Sequence, residues 1–148
     1  MKPRSIAVLS LLLSTTLGLV ALLPTLALAH ERKEVAGLMV IFGAEPEPAL
    51  TGEVQQLVWR FRGLESNEPF ADIEELSAVI TRDGAEYGPF TARMSRRDPG
   101  TVQTKHIFTV AGEYEVMLTF KKKDDPQTHS VSFTYRIGDR EELEIPGS

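Results

Sequence analysis

The sequence predicts an all-β protein, an immunoglobulin-like antiparallel β-sandwich of about seven strands after a cleaved signal peptide. Apolar side chains recur at every second position around residues 38–42, 57–61 and 114–120, the period at which residues share one face of a strand. Turn signals such as Asp83-Gly84 separate these segments at short intervals. The Gly-Glu-Tyr corner before Val116 is typical of the tyrosine corner in such sandwiches. We therefore expect two packed sheets, each with one face in solvent.

The first 29 residues have the pattern of a secretory signal peptide. Lys2 and Arg4 precede a mostly apolar stretch over residues 6–23, Pro24 interrupts it, and Ala27-Leu28-Ala29 forms an A-x-A cleavage site. An uncleaved membrane anchor is the alternative, since about 18 apolar residues nearly span a bilayer, but Pro24 and the small residues favour cleavage.

We therefore divide the chain into a signal peptide over 1–29, a sandwich domain over 30–137 and a flexible acidic tail over 138–148. A cleaved leader implies a periplasmic or secreted protein with no stable membrane insertion.

Charge and residue content narrow the function. The mature chain would carry 14 basic and 21 acidic residues, a formal charge of −7, which argues against nucleic acid and anionic membranes as partners. The absence of cysteine excludes thiol catalysis and thiolate metal sites. The sequence has no H-E-x-x-H, G-x-S-x-G or phosphate-loop motif. We therefore predict a protein that is not an enzyme.

Cleavage after Ala29 would create the strongest chemical feature, a histidine at the mature N-terminus. The α-amine and an imidazole nitrogen of His30 can form one short chelate for Cu(II), which favours tetragonal nitrogen and oxygen sites. The ordinary pKa of the α-amine is near ~8, so a metal displaces its proton easily at neutral pH. His129, His106 or a carboxylate could supply further ligands. The alternative is that His30 merely follows the cleavage site and binds nothing.

Two later segments resemble the C-terminal part of CopC-like periplasmic copper-binding domains. These segments are Ala111-Gly-Glu-Tyr-Glu-Val-Met-Leu-Thr-Phe and, after an acidic loop, His129-Ser-Val-Ser-Phe-Thr-Tyr-Arg-Ile137. The resemblance implies a small secreted sandwich with a Cu(II) site. In that site His30 would match the terminal ligand, His129 the motif histidine, and Asp125 or Asp124 the motif carboxylate.

Three residues separate Asp125 from His129, whereas the family has one. With this spacing we expect both side chains on one face only if the chain is extended across Pro126. The order of a β-rich first segment, a proline-containing connection and a late Gly-x-Tyr strand also resembles secreted YtkA-like domains, which implies export but identifies no ligands.

A second hypothesis is an interaction module that docks another envelope protein and holds no metal, because potential ligands are few. The partner is accordingly a metal ion or an envelope protein. His106 is in phase with Phe108 and Val110, so we expect it in or beside the core rather than on a metal.

Overall fold

Nine strands form two antiparallel sheets within residues 31–142, the part of the chain that this structure, a computed structural model, describes. The strands are β1 (Glu31–Val35), β2 (Leu38–Glu45), β3 (Val54–Gly63), β4 (Ile73–Arg82), β5 (Ala85–Thr91), β6 (Arg93–Met94), β7 (Thr101–Ile107), β8 (Gly112–Lys122) and β9 (Thr128–Ile137), and a short 3₁₀ helix follows at Arg140–Glu142. The strand order is β1-β2-β3-β7-β6 in one sheet and β5-β4-β8-β9 in the other. The predicted all-β antiparallel sandwich is confirmed, with nine strands rather than about seven.

Alternating side chains from both sheets fill the space between them. Trp59 has no exposed surface, and its ring centroid lies 5.4 Å from that of Phe42. The Phe42 ring in turn stacks on Phe133 of the opposite sheet, with 5.1 Å between the centroids. Phe61 meets Phe120 edge to face at 4.9 Å. Burying each such side chain stabilises the fold by roughly 1.5–3 kcal/mol.

Within the described range, no helix is long and apolar enough to cross a membrane.

The predicted tyrosine corner joins the two sheets where β7 passes into β8. The hydroxyl of Tyr114 donates to the Val110 carbonyl oxygen at 2.6 Å, and its ring packs 4.8 Å from the ring of Phe108. Gly112 has a φ of 137°, a conformation that side-chain-bearing residues rarely adopt. The corner therefore requires both the tyrosine hydroxyl and the glycine.

The sequence alone predicts a charged lead-in over residues 30–34 and a first strand over residues 35–42. The first hairpin differs from that prediction. Glu31–Val35 forms β1 and pairs with β2, with Glu31 opposite Phe42 and Val35 opposite Leu38. Ala36 and Gly37 have φ values of 52° and 75°, and positive φ at both central residues is the mark of a type I′ hairpin turn. The charged lead-in is therefore an edge strand of the five-stranded sheet.

The segment predicted as a flexible tail also differs in its first five residues. Gly138 donates its N–H to the Ala49 carbonyl at 2.8 Å and accepts from the Thr51 N–H at 3.0 Å. Arg140 then forms an ion pair with Glu53, with Nη1 and Oε1 3.4 Å apart. Backbone pairing at Gly138 and the ion pair of Arg140 therefore attach the start of this segment to the sandwich, and residues 143–148 lie outside the described range.

Candidate functional site

Two of the three predicted metal ligands are in direct contact. His129, at the start of β9, has its Nε2 atom 2.8 Å from Oδ2 of Asp125. The chain reaches this arrangement through a tight turn instead of the extended path across Pro126. The Asp125 N–H donates to the Lys122 carbonyl at 3.0 Å, and Oδ1 of Asp125 accepts the Gln127 N–H at 2.9 Å. Because the Asp125 carboxylate accepts a hydrogen bond from the backbone two residues later, the turn brings it to His129 without an extended chain.

The surroundings of the pair favour the charged form of its carboxylate. The Gln127 N–H and the His129 side chain hold the pKa of Asp125 below its ordinary value, with smaller help from the charge of Lys122. The His129 ring lies 5.6 Å from that of Phe120 and is mostly shielded from solvent. The pair is therefore a partly shielded imidazole held by an ionised carboxylate.

His129 and Asp125 alone do not make a complete metal site. It offers one nitrogen and one oxygen, and residues 31–142 contain no group of three or more potential metal ligands. A metal bound by both residues would have to replace the hydrogen between Nε2 and Oδ2. His30, the third predicted ligand, lies outside the described residues.

The first described residue, Glu31, lies beside the second half of β9, away from this pair. Glu31 accepts the Thr134 N–H at 3.3 Å, and Lys33 donates to the Ser132 carbonyl at 2.6 Å, so β1 runs antiparallel to β9. Thr134 is five positions along β9 from His129, a distance of roughly 16 Å at the rise of a strand. A site that joined His30 to the pair would have to span most of that length.

The third histidine, His106, lies beside the core as expected. Its ring is between Phe90 and Phe108, at centroid distances of 4.9 and 4.7 Å. Burial lowers its pKa because the charged imidazolium loses hydration there. It faces Gln55 across the β3–β7 pair. It therefore shares no cluster with His129.

A feature that sequence reasoning missed is a group of basic residues on the outer face of the five-stranded sheet. The strand registers align Arg32, Ile41 and Arg60 in one row and set Met39 beside Arg62 in the next. The group, which we call the basic face, consists of Arg32, Arg60, Arg62, Arg93 and Lys105. Met39, Ile41 and Val58 lie among these side chains.

The basic face is a surface of unpaired cations, and Arg96, Arg97 and Arg136 are the other cations without a carboxylate partner among the described residues. Among residues 31–142, none of its five side chains lies within 4.0 Å of a carboxylate. By contrast, Lys33, Lys121 and Arg140 each form an ion pair. The strand acids on this face are Glu34 and Glu45, and Glu47 lies in the loop near Arg60, while the rest of the chain is strongly acidic. The basic face is therefore a local reversal of the net charge.

Comparison with family models, with curated proteins and with solved structures finds no match to this chain. The resemblance to copper-binding and YtkA-like domains consequently remains a prediction, and function has to be argued from the arrangement of residues.

The lowered pKa of Asp125 makes a prediction for acid stability. A carboxyl group with a lower pKa in the folded state stabilises the fold above its ordinary value of 3.8, and this contribution disappears as the pH falls through the folded value. We expect Asp125→Asn to be less stable than the parent at pH 7 and to lose less further stability below about pH 4. Urea unfolding at a series of pH values measures both effects.

Asp124→Asn is the matched control, because Asp124 is the exposed neighbour of Asp125 in the same turn. If the two variants follow the same stability curve as the parent, the turn does not depend on the Asp125 carboxylate.

Proposed function

We propose that this chain is an exported, non-catalytic binding protein that docks an acidic surface of another protein through the basic face. Export follows from the A-x-A leader, and the single observation that carries the docking role is the group of five cations without carboxylate partners among the described residues. Docking would supply the missing carboxylates. This is the interaction-module hypothesis with a defined surface and a defined partner chemistry.

Electrostatics favour an anionic partner at this face. Arg32 and Arg60 flank Ile41 on neighbouring strands, so their Cα atoms are about 9.6 Å apart at the usual strand spacing. That distance is close to the Debye length of ~8 Å at physiological salt, so salt only partly screens their repulsion. Arginine also binds carboxylates through two parallel hydrogen bonds. Acidic side chains on a partner would therefore relieve repulsion and gain directed contacts.

The shape and apolar content of the face favour a protein over other polyanions. Met39 and Ile41 are half-buried between the arginines, and protein interfaces combine such apolar contacts with arginine. Nucleic acid and anionic lipid would also meet the acidic remainder of the molecule, including Glu34 and Glu45 at the margin of the face. A folded partner can place its acids opposite the cations alone.

Charge reversal on the basic face tests this proposal. We expect Arg60→Glu combined with Arg93→Glu to weaken binding of fluorescent poly-L-glutamate by about tenfold or more in 50 mM salt, because two attractive contacts become repulsive. Fluorescence anisotropy measures the affinity, and urea unfolding shows that each variant is folded.

Arg136→Glu is the matched control for that experiment. Arg136 is exposed, unpaired among the described residues and on the outer face of the four-stranded sheet. An equal loss of affinity per reversed charge in this control would show that net charge alone governs binding. Tighter binding to heparin or to phosphatidylglycerol vesicles than to poly-L-glutamate would contradict a protein partner.

A second candidate function is Cu(II) binding by His30, His129 and Asp125. The observation that favours it is the 2.8 Å contact between His129 and Asp125, which offers a nitrogen and an oxygen ligand side by side. It ranks second because the first described residue, Glu31, contacts Thr134 and not this pair.

Titration calorimetry of the mature protein with Cu(II) tests the second candidate. The described fold lies within residues 31–142, so a chain that starts at His30 contains all of it. We expect His30→Ala and His129→Ala each to weaken binding by about tenfold or more, since each removes a nitrogen ligand, while His106→Ala leaves it unchanged. Unchanged affinity after His30→Ala, or after one residue is added before His30, would exclude this site.

A further inference from the structure

Exposed apolar side chains are concentrated at the end of the sandwich where β3 begins and β7 ends. Val54 and Ile107 are partners across β3 and β7, and they are 51% and 49% exposed. Val110, in the corner that follows β7, is 50% exposed. These are three of the five large apolar side chains that are exposed within residues 31–142. They are therefore clustered, whereas exposed apolar residues are usually scattered singly over a protein surface.

Strand alternation places this pair in line with the cations of the basic face. Gln55 is fully buried, so its neighbour Val54 and the cross-strand partner Ile107 point outward. Lys105 is the next outward residue of β7 and is exposed. Val54 and Ile107, which we call the apolar end, therefore continue the basic face beyond Lys105.

The charges around the apolar end favour an acidic partner. Glu53, the chain neighbour of Val54, forms an ion pair with Arg140. Glu45 is in the same row as Lys105 but two strands away, about 9.6 Å at the usual strand spacing. Lys105 is thus an unpaired cation beside the apolar end, and it attracts carboxylates.

The apolar end is too small to hold a partner alone. Stable protein interfaces bury ~800 Å² on each partner, far more than a few half-exposed side chains provide. The basic face has the opposite weakness, since contacts between exposed charges are screened by salt and contribute little individually. Together the two surfaces have the composition of a protein interface, in which apolar contacts are combined with arginine.

The strand register gives the spacing that a partner has to match. Counted along β7 from Ile107, Lys105 is two positions away, Arg93 lies opposite the residue four positions away, and Arg60 lies opposite the residue six positions away. At the rise of a strand these positions are about 7, 14 and 20 Å along β7. Side chains at every second position of an extended segment have the same spacing.

We propose that the apolar end and the basic face bind one occupant, an extended acidic segment of the partner protein. An apolar residue of this segment contacts Val54 and Ile107, and carboxylates two, four and six positions further along meet Lys105, Arg93 and Arg60. This inference rests on acidic-partner docking and names the segment that docks. The apolar residue sets the register, because carboxylates alone can exchange places along the row of cations.

Two capped heptapeptides of equal charge test this proposal. Leu-Thr-Glu-Thr-Glu-Thr-Glu has the proposed spacing, and replacing its leucine with threonine removes only the apolar contact. Both are also made in reverse order, because the spacing permits either direction along β7. We expect the tighter-binding leucine peptide to exceed its threonine counterpart by about fivefold in affinity, since it buries apolar surface. Amide chemical-shift titration of the ¹⁵N-labelled mature protein in 50 mM salt measures these weak affinities.

Val54→Thr combined with Ile107→Thr should abolish the preference for leucine. Both side chains are half exposed, and threonine keeps the branched shape that suits a strand, so urea unfolding should show a folded variant. Leu64→Thr is the matched control, because Leu64 is also exposed but follows the opposite end of β3. This control should keep the preference.

Equal affinities of the two peptides for the parent would overturn the proposal, and so would loss of the preference in the Leu64→Thr control. Failure of both peptides to bind would contradict the spacing. If the parent is a dimer by sedimentation velocity and the Val54→Thr and Ile107→Thr variant is a monomer, a second copy covers the apolar end and the proposal is wrong. Poly-L-glutamate has no apolar residue, so its binding tests acidic-partner docking separately.

Discussion

The strict alternation of side chains along β3 is the constraint on which the rest of the structure depends. Trp59 must point inward to fill the core against Phe42, so its neighbours Val58 and Arg60 must point outward. A shift of one residue in register would exchange the two sets and expose the indole to water. The register with β2 then aligns Arg60 with Ile41. The basic face is thus a consequence of how the core is packed.

The edge strands show a second use of charged residues. The backbone of β9 has an unpaired edge, and two side chains of β1 satisfy part of it: Lys33 donates to the Ser132 carbonyl, and Glu31 accepts the Thr134 N–H. Lys33 also lies 5.3 Å from the Phe133 ring centre. Charged side chains on an edge discourage further strand pairing. Glu31 and Lys33 of β1 therefore connect the two sheets and protect the edge of β9. Arg32, between them, points to the opposite side of β1 and belongs to the basic face.

Sequence patterns were sufficient for the strands that bury one face and insufficient for those that do not. β3, β8 and β9 each alternate around a core aromatic, and the corner at Tyr114 was recognisable from its glycine. β1 has no apolar period, because this edge strand contacts β9 through the charged side chains of Glu31 and Lys33 and presents charged side chains to solvent on its other face. Gly138 is held by pairing with the distant segment around Leu50, which no local pattern reveals.

The candidate sites were predictable to different degrees. The sequence spacing allows His129 to approach Asp125 only if the chain is extended across Pro126, whereas a turn closed by the Gln127 N–H brings the two side chains together. Alternation alone shows that Arg60 and Arg62 share a face. Adding Arg32, Arg93 and Lys105 requires the strand order, because these residues come from three other strands. Strand order is a tertiary property set by core packing.

We propose the basic face as the working surface of the protein. Amide chemical-shift mapping of the ¹⁵N-labelled mature protein during titration with poly-L-glutamate tests it most directly. The account predicts that the largest shifts cluster around Arg32, Arg60 and Arg93 and disappear in 0.5 M salt, since screening weakens the contacts. Shifts concentrated instead around Thr119 and Arg136, on the outer face of the four-stranded sheet, would contradict it.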